Sequence, residues 1–288
     1  MSDRQARNLP LDAHLHTNLS PDSDVPIDTF ASQAVDRGIA EIAITDHVDF
    51  EPGAPAYRYV SFADRERSVR EAAERWAERG LAIRFGAEIT WDSRWADDIR
   101  DHLRGRAYDF TIGSVHVYQG SPYGATRVAS WVAGRTLPEI VEPYFSEVGR
   151  AIQSGLFDAI GHLDVVKRYL APHVTAADLA GAPELYEPLL HALVDAGTAL
   201  EINTSGLRQE AKEIYPPAHI VARFRELGGE RITIGSDAHR PDTFAWGLDD
   251  GYSVASAAGF DELTFRRGAG SVVVPMATTP NAVAGRSL

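Results

Sequence analysis

Six imidazoles and several carboxylates stand in this sequence where they could share metal ions. They fall in short motifs: His14-Leu15-His16, Asp46-His47, Glu88, His116, His162 and Asp237-Ala238-His239. Of the 10 His residues, six occupy these positions. Neutral imidazole nitrogens and carboxylate oxygens are ligands for Zn, Mn or Fe. His14 and His16 are two apart, so on a strand both face one side. Adjacent Asp-His pairs also supply carboxylates that can orient a ring. One His at a strand end is usually an ordinary polar residue, and His-X-His or Asp-His alone carries little weight. The joint pattern points to a metal centre. His102, His173, His191 and His219 fall in helical or loop patterns and read as surface or packing residues, and Asp164 reads as structural.

Nearly all of these motifs close a short apolar run that reads as a buried strand. The runs are 11–16, 40–46, 82–88, 109–116, 157–162, 198–203 and 231–237. The 198–203 run differs: it ends in Asn203-Thr-Ser-Gly-Leu-Arg208, with no such ligand-type residue. Amphipathic stretches over 27–38, 64–80, 138–155, 184–197 and 217–229 separate most of the runs, and several end in Gly, a helix stop. Strand–helix alternation predicts an α/β fold with a parallel sheet, and seven strands predict a closed or nearly closed barrel. In such barrels the site lies at the C-terminal strand ends, where these motifs sit. The run 271–276 is a candidate extra strand. Residues 51–62 and 119–137 read as long loops over the mouth, and 1–9 and 277–288 as loose tails of a single domain spanning 1–288.

Composition narrows the chemistry. A net charge of -13 argues against a nucleic-acid or anionic-membrane surface. There is no Cys, which excludes disulfides, thiolate sites and Cys nucleophiles. There is no Walker-type Gly loop and no G-x-S-x-G elbow. No apolar run approaches membrane-spanning length and the polar start lacks a secretory apolar region, so a cytoplasmic location is expected.

The ordered set His-X-His, Thr45-Asp-His47, Gly86-Ala-Glu88, Gly113-Ser-Val-His116, Gly161-His-Leu-Asp164 and Gly235-Ser-Asp-Ala-His239 resembles the polymerase-and-histidinol-phosphatase (PHP) family, over residues 10 to 275. The resemblance implies a distorted (β/α)7 TIM-like barrel with a cluster of two to three divalent metal ions at the C-terminal strand ends. It implies that His14, His16, Glu88 and Asp237 hold one ion. Glu88 would bridge to a second on His116 and His162, and a third would sit on Asp22, His47 and His239. Many relatives carry His where Asp22 stands, and others carry Asp. Asp22 has a second reading, as a cap on the helix that begins near Pro26.

Glu201-Ile-Asn-Thr-Ser-Gly-Leu-Arg208, Tyr215-Pro216 and Gly161–Arg168 look like the histidinol-phosphatase branch. This implies a metal-dependent phosphatase of histidine biosynthesis that hydrolyses L-histidinol phosphate by attack of a metal-bridging hydroxide. The alternative is a family phosphoesterase acting on a nucleotide, oligonucleotide or other small phosphate ester. Glu88, Asp237 and His239 would be catalytic, with His239 or a water beside it as the acid. Arg208, on the loop after the strand without a ligand, is a candidate phosphate clamp, with Lys167 or Arg168 as a second cation. Trp91, Asp92 and Tyr118 stand where an aromatic and acidic wall for the substrate's ring and ammonium could form.

Overall fold

Seven short apolar strands pair side by side in the order in which the sequence runs through them. In this computed structural model, residues 8–264 and 273–276 are described. The strands are β1 (Leu11–Leu15), β2 (Glu41–Ile44), β4 (Ala82–Thr90), β5 (Phe110–Ser114), β6 (Ala159–Ile160), β7 (Ala199–Asn203) and β8 (Ile232–Gly235), hydrogen-bonded as β1-β2-β4-β5-β6-β7-β8. Every neighbouring pair is parallel. A two-residue strand, β3 (His47–Val48), also pairs with β4, so His47 lies on regular backbone beside Glu88.

The barrel closes at a thin seam. Between β8 and β1 the backbone offers a bridge of Leu15 to Ala238, with His16 N donating to Ala238 O (2.9 Å) and Asp237 N to His14 O (2.9 Å). The buried Asp12 carboxylate strengthens it, accepting from Ser236 N (2.8 Å) and Ser236 Oγ (2.6 Å). Gly235 permits this approach: a Cβ there would lie 2.3 Å from the Cβ of His14.

The helices are α1 (Ile27–Arg37), α2 (Phe62–Ala77), α3 (Ala96–Leu103), α4 (Ala125–Val132), α5 (Leu137–Ser154), α6 (Val166–Leu170), α7 (Ala176–Ala180), α8 (Glu187–Ala196), α9 (Ala218–Glu226) and α10 (Leu248–Ala257). Their apolar faces cover the sheet, burying Phe30, Phe85, Phe110, Phe157, Phe224 and Phe244. The boundaries follow local chemistry. Ser61 caps α2 by accepting from Asp64 N (3.1 Å), and α1, α5 and α8 stop at left-handed Gly38, Gly155 and Gly197.

The sequence pattern predicts five of these helices. The expected long loop at 119–137 is in fact interrupted by α4, whose Trp131 donates from Nε1 to Ile140 O (3.1 Å). Helix α10 has Gly251 inside it, where a Cβ would lie 3.0 Å from Ile234 and Thr204, so close packing outweighs glycine's poor helix propensity. Among the expected tails, residues 1–7 and 277–288 lie outside the described residues. Asn8 and Leu9 are tied down, through Asn8 N to Arg37 O (2.6 Å) and Ala40 N to Leu9 O (3.2 Å). The expected extra strand is present at β10 (Val273–Pro275), antiparallel to β9 (Glu262–Thr264), with 271–272 outside the described residues.

Candidate metal centre

Glu88, on β4, is 1% exposed and stands at the middle of five imidazoles. Its two oxygens face different partners. Oε1 lies 3.2 Å from His116 Nε2 and 3.0 Å from His162 Nε2. Oε2 lies 3.5 Å from His14 Nε2, 3.4 Å from His16 Nε2 and 2.8 Å from His47 Nδ1. Asp237 adds an oxygen 3.5 Å from His16 Nε2 and 3.4 Å from His239 Nδ1. Farther out, Asp22 Oδ2 is 3.2 Å from His47 Nε2 and 3.1 Å from His239 Nε2. Helix α1 begins after Pro26 without a side-chain cap, so the capping reading of Asp22 fails and its carboxylate faces the imidazoles.

Ring nitrogens also face one another, His14 Nε2 to His16 Nε2 at 3.0 Å and His116 Nε2 to His162 Nε2 at 3.3 Å. Lone pairs turned inward at this spacing need a cation or protons between them. Three groups have one ligand atom from each residue within 4.8 Å of the others: His14, His16 and Asp237; His47, Glu88 and His116; His16, Asp22, His47 and His239. Nitrogen and carboxylate donors in this number fit divalent ions of the Zn, Mn or Fe kind.

The surrounding residues fix these side chains. Asp46 is turned away, accepting from Thr17 N (2.6 Å) and Oγ1 (2.9 Å). The buried Arg65 of α2 donates to Asp46 O (3.1 Å) and His47 O (2.6 Å), pinning the turn that carries His47. Thr90 Oγ1 lies 3.2 Å from His116 Nδ1. His162 and Asp237 adopt left-handed backbone, with φ of 23° and 53°, a strain that the site holds in place.

One contributor is not visible at a strand end. Glu201 lies two residues before the end of β7 and is fully buried. It pairs with His14 Nδ1 (2.5 Å) and accepts from His162 N (2.7 Å) and Asn203 Nδ2 (3.2 Å). The strand that reads as empty of ligand-type residues therefore orients two of them. The signal was the Glu201-X-Asn203 alternation, which turns two polar groups into the barrel.

Burial and charge act in opposition here. Burial resists ionisation of Glu88, but the imidazoles of His116, His47 and His14 hold it well below the usual carboxylate range. Asp237 is drawn down to about 2 against its burial, chiefly by His14 and His239. His47 is raised to about 10 despite burial, because Glu88 and Asp22 flank it. His16 is driven well below the imidazole range by burial and by its neighbours His239 and His47. The carboxylates thus stay anionic, and in the metal-free protein protons on selected imidazoles balance them.

The cluster forms one wall of a cavity of about 570 Å³, the size of a small-ligand site. Arg168, Arg208 and Arg240 line it, with Tyr169 and Gln209. Arg208 donates to Ser236 O (2.8 Å) and Asp237 O (2.5 Å), so it also braces the Asp237 turn. Lys167 is placed otherwise than expected. It is 2% exposed and lies outside the cavity lining, with Nζ 2.7 Å from Asp164 Oδ2 and bonded also to Glu213. Its charge is paired inside the fold, away from the cavity. Trp91 and Tyr118 likewise are buried packing residues, Trp91 donating to Glu147 Oε2 (3.2 Å).

A sequence model of the PHP domain matches residues 12–205. The chain belongs to the PHP family. Among its PHP relatives, the probable histidinol-phosphatase of Deinococcus radiodurans is 28% identical over 258 residues, 88% of this chain and 96% of that protein. The histidinol-phosphatase of Lactococcus lactis is 27% identical over 267 residues, covering 88% and 93%. The crystal structure of the L. lactis histidinol phosphate phosphatase, complexed with Zn, L-histidinol and phosphate, superposes with a TM-score of 0.78 at 24% identity, over 92% of this chain and 98% of that one. A putative histidinol phosphatase from Listeria monocytogenes gives 0.73 at 20% identity, over 83% and 99%. The PHP barrel is thus common to all three structures. Among the described residues no helix is long and apolar enough to cross a membrane.

Proposed function

We propose that this chain, as a single barrel domain, is a metal-dependent phosphomonoesterase that hydrolyses L-histidinol phosphate to L-histidinol and phosphate, a step of histidine biosynthesis in the cytoplasm. The observation that carries this reading is Glu88, whose two oxygens face separate imidazole groups at the wall of an arginine-lined cavity. The names of the curated relatives supply the substrate.

His14, His16, Glu88 and Asp237 would hold one ion, Glu88, His116 and His162 a second, and Asp22, His47 and His239 a third. Divalent ions held there lower the pKa of bound water and offset phosphoryl charge. The chain's own residues do the rest. Glu88 sets the spacing between the first two groups. Arg208, with two N–H groups fixed on backbone carbonyls, has others left for phosphate oxygens, and Arg168 is an exposed second cation on the same cavity. His239, with its side chain 27% exposed the most open of the six imidazoles, is the candidate proton donor to the leaving oxygen, directly or through a water beside it.

The test is phosphate release by purified, metal-analysed protein from L-histidinol phosphate, AMP, p-nitrophenyl phosphate and a short oligonucleotide. The highest kcat/KM is expected for histidinol phosphate. Equal or better turnover of the nucleotide or oligonucleotide would sink the substrate assignment and leave the phosphoesterase.

A further inference from the structure

Asp22 differs from the other carboxylates of the cluster in how it is held. Its side chain is 47% exposed, against 1% for Glu88 and 11% for Asp237, and it stands on the loop between β1 and α1. An exposed side chain on irregular backbone loses more freedom when it is fixed in one place. Yet its Oδ2 lies 3.2 Å from His47 Nε2 and 3.1 Å from His239 Nε2. That placement needs support from the residues around it.

Two serines of the same loop supply it. Ser20 is fully buried, and its Oγ accepts from His47 N (2.8 Å). Ser23 is buried as well, and its one hydroxyl hydrogen faces two carbonyls, His16 O (2.8 Å) and His239 O (3.0 Å). Each serine thus grips the backbone of one of the two residues that Asp22 meets with its carboxylate. Two closed rings result. One runs from the Asp22 carboxylate through the His47 ring and His47 N–H to Ser20, and back through Pro21, whose fixed φ stiffens it. The other runs through the His239 ring and its carbonyl to Ser23. The loop does not need these bonds to close. Asn18 N to Val25 O (2.9 Å) and Ser20 N to Thr17 O (2.8 Å) already close it through the main chain. The hydroxyls reach outward instead, Ser20 to the start of β3 and Ser23 to the turn after β8. Longer contacts join Ser20 Oγ to His16 Nδ1 (3.4 Å) and Val25 N to Ser23 Oγ (3.3 Å), and Ser20 also meets the buried Asp46 carboxylate.

Resting on the metal centre proposed above, we infer that Ser20 and Ser23 are positioning residues for the ion on Asp22, His47 and His239. They hold the loop carboxylate against the two imidazoles before any ion arrives. Ordering that is already complete in the metal-free protein is not charged against binding. The two hydroxyls therefore set how strongly this one site is occupied. The two groups built on Glu88 stand on strands and keep their ions without them.

Ser23→Ala removes one grip and leaves every metal-binding side chain in place. Chelator-treated protein is titrated with Zn²⁺, and the ions bound per chain are counted by calorimetry and elemental analysis. In the variant, affinity for one ion should fall about 10–100-fold, while the rest are held as in the wild type. Unchanged binding overturns the proposal, and so does an equal loss at every site, which would make Ser23 a general packing residue. Should the variant not fold, amide exchange of the metal-free wild type decides. The His47 N–H, held by Ser20 Oγ, should stay protected after chelation, and exchange at the free-chain rate overturns the proposal. A wild type that binds two ions or fewer ends the three-ion reading and this inference with it, whereas three ions in wild type and variant alike end the inference alone. No substrate enters the count, so failure to cleave L-histidinol phosphate would sink the function proposed above and leave this test standing.

Discussion

Two clusters of buried charge stand near each other at the C-terminal end of this barrel, and they are balanced differently. Around Lys167, the chain supplies both signs: Asp164 and Glu213 enclose one ammonium, largely away from solvent. Around Glu88, it supplies carboxylates and imidazoles whose lone pairs face one another, and no Lys or Arg within that ring. Both hold charge under similar burial. The first carries its own counter-ion as folded. The second needs protons or metal ions from outside, and it borders an open cavity. What separates a structural charge cluster from a functional one is therefore where the counter-ion comes from, not how deeply the charge is buried.

Substitutions at the two centres should give opposite signatures. Glu88→Gln removes the shared carboxylate, and kcat/KM should fall on the order of 10³-fold or more with loss of bound metal by elemental analysis. Retention of both full metal content and full rate would remove Glu88 from the bridging position. Lys167→Met leaves the buried Asp164 and the half-buried Glu213 without their cation, and should cost about 3–5 kcal/mol in urea unfolding. Metal content of the folded fraction should be unchanged. If Lys167→Met instead spared stability and raised KM for substrate, the cation would belong to the cavity after all.

Glu201 lies between these cases, since it touches rings rather than ions. Glu201→Gln should weaken metal affinity about 10–100-fold, read by chelator competition, with a smaller change in the unfolding midpoint. An unchanged affinity would make Glu201 a packing residue. The mildest effect is that of pH. His47 is raised to about 10 in the metal-free protein, so at neutral pH it carries a proton that metal uptake must displace. Apparent metal affinity should therefore rise with pH, up to about tenfold per unit for each proton displaced, and calorimetry in buffers of different ionisation enthalpy should detect the release. Metal binding without proton release at pH 7 would contradict the raised pKa.

The sequence makes the metal centre legible because its residues sit at strand ends and strands have a fixed period. His14, His116 and His239 could be placed on one mouth from apolar runs alone. The same reasoning favoured Arg208 from its place at the mouth but could not separate Lys167 from Arg168, which read alike as the second cation. Their difference depends on Asp164 and on Glu213, 46 residues from Lys167 in sequence, which hold the ammonium while Arg168 lines the cavity. Glu201 stayed hidden because it lies inside its strand rather than at its end. Helices α3 and α4 were missed because each has eight residues, too few for a periodic pattern to stand out.

The thin closure between β8 and β1 has a mechanical meaning. His14 and His16 stand on one side of that seam and Asp237 on the other, 221 residues from His16 in sequence. Any ion these three share would act as a clasp on a loop that takes in most of the chain, and cross-links over long loops restrict the unfolded chain most. Catalytic centre and fastener of the barrel would then be one object. Chelation should first be felt as faster amide exchange along Asp12–His16 and Ile234–Ala238.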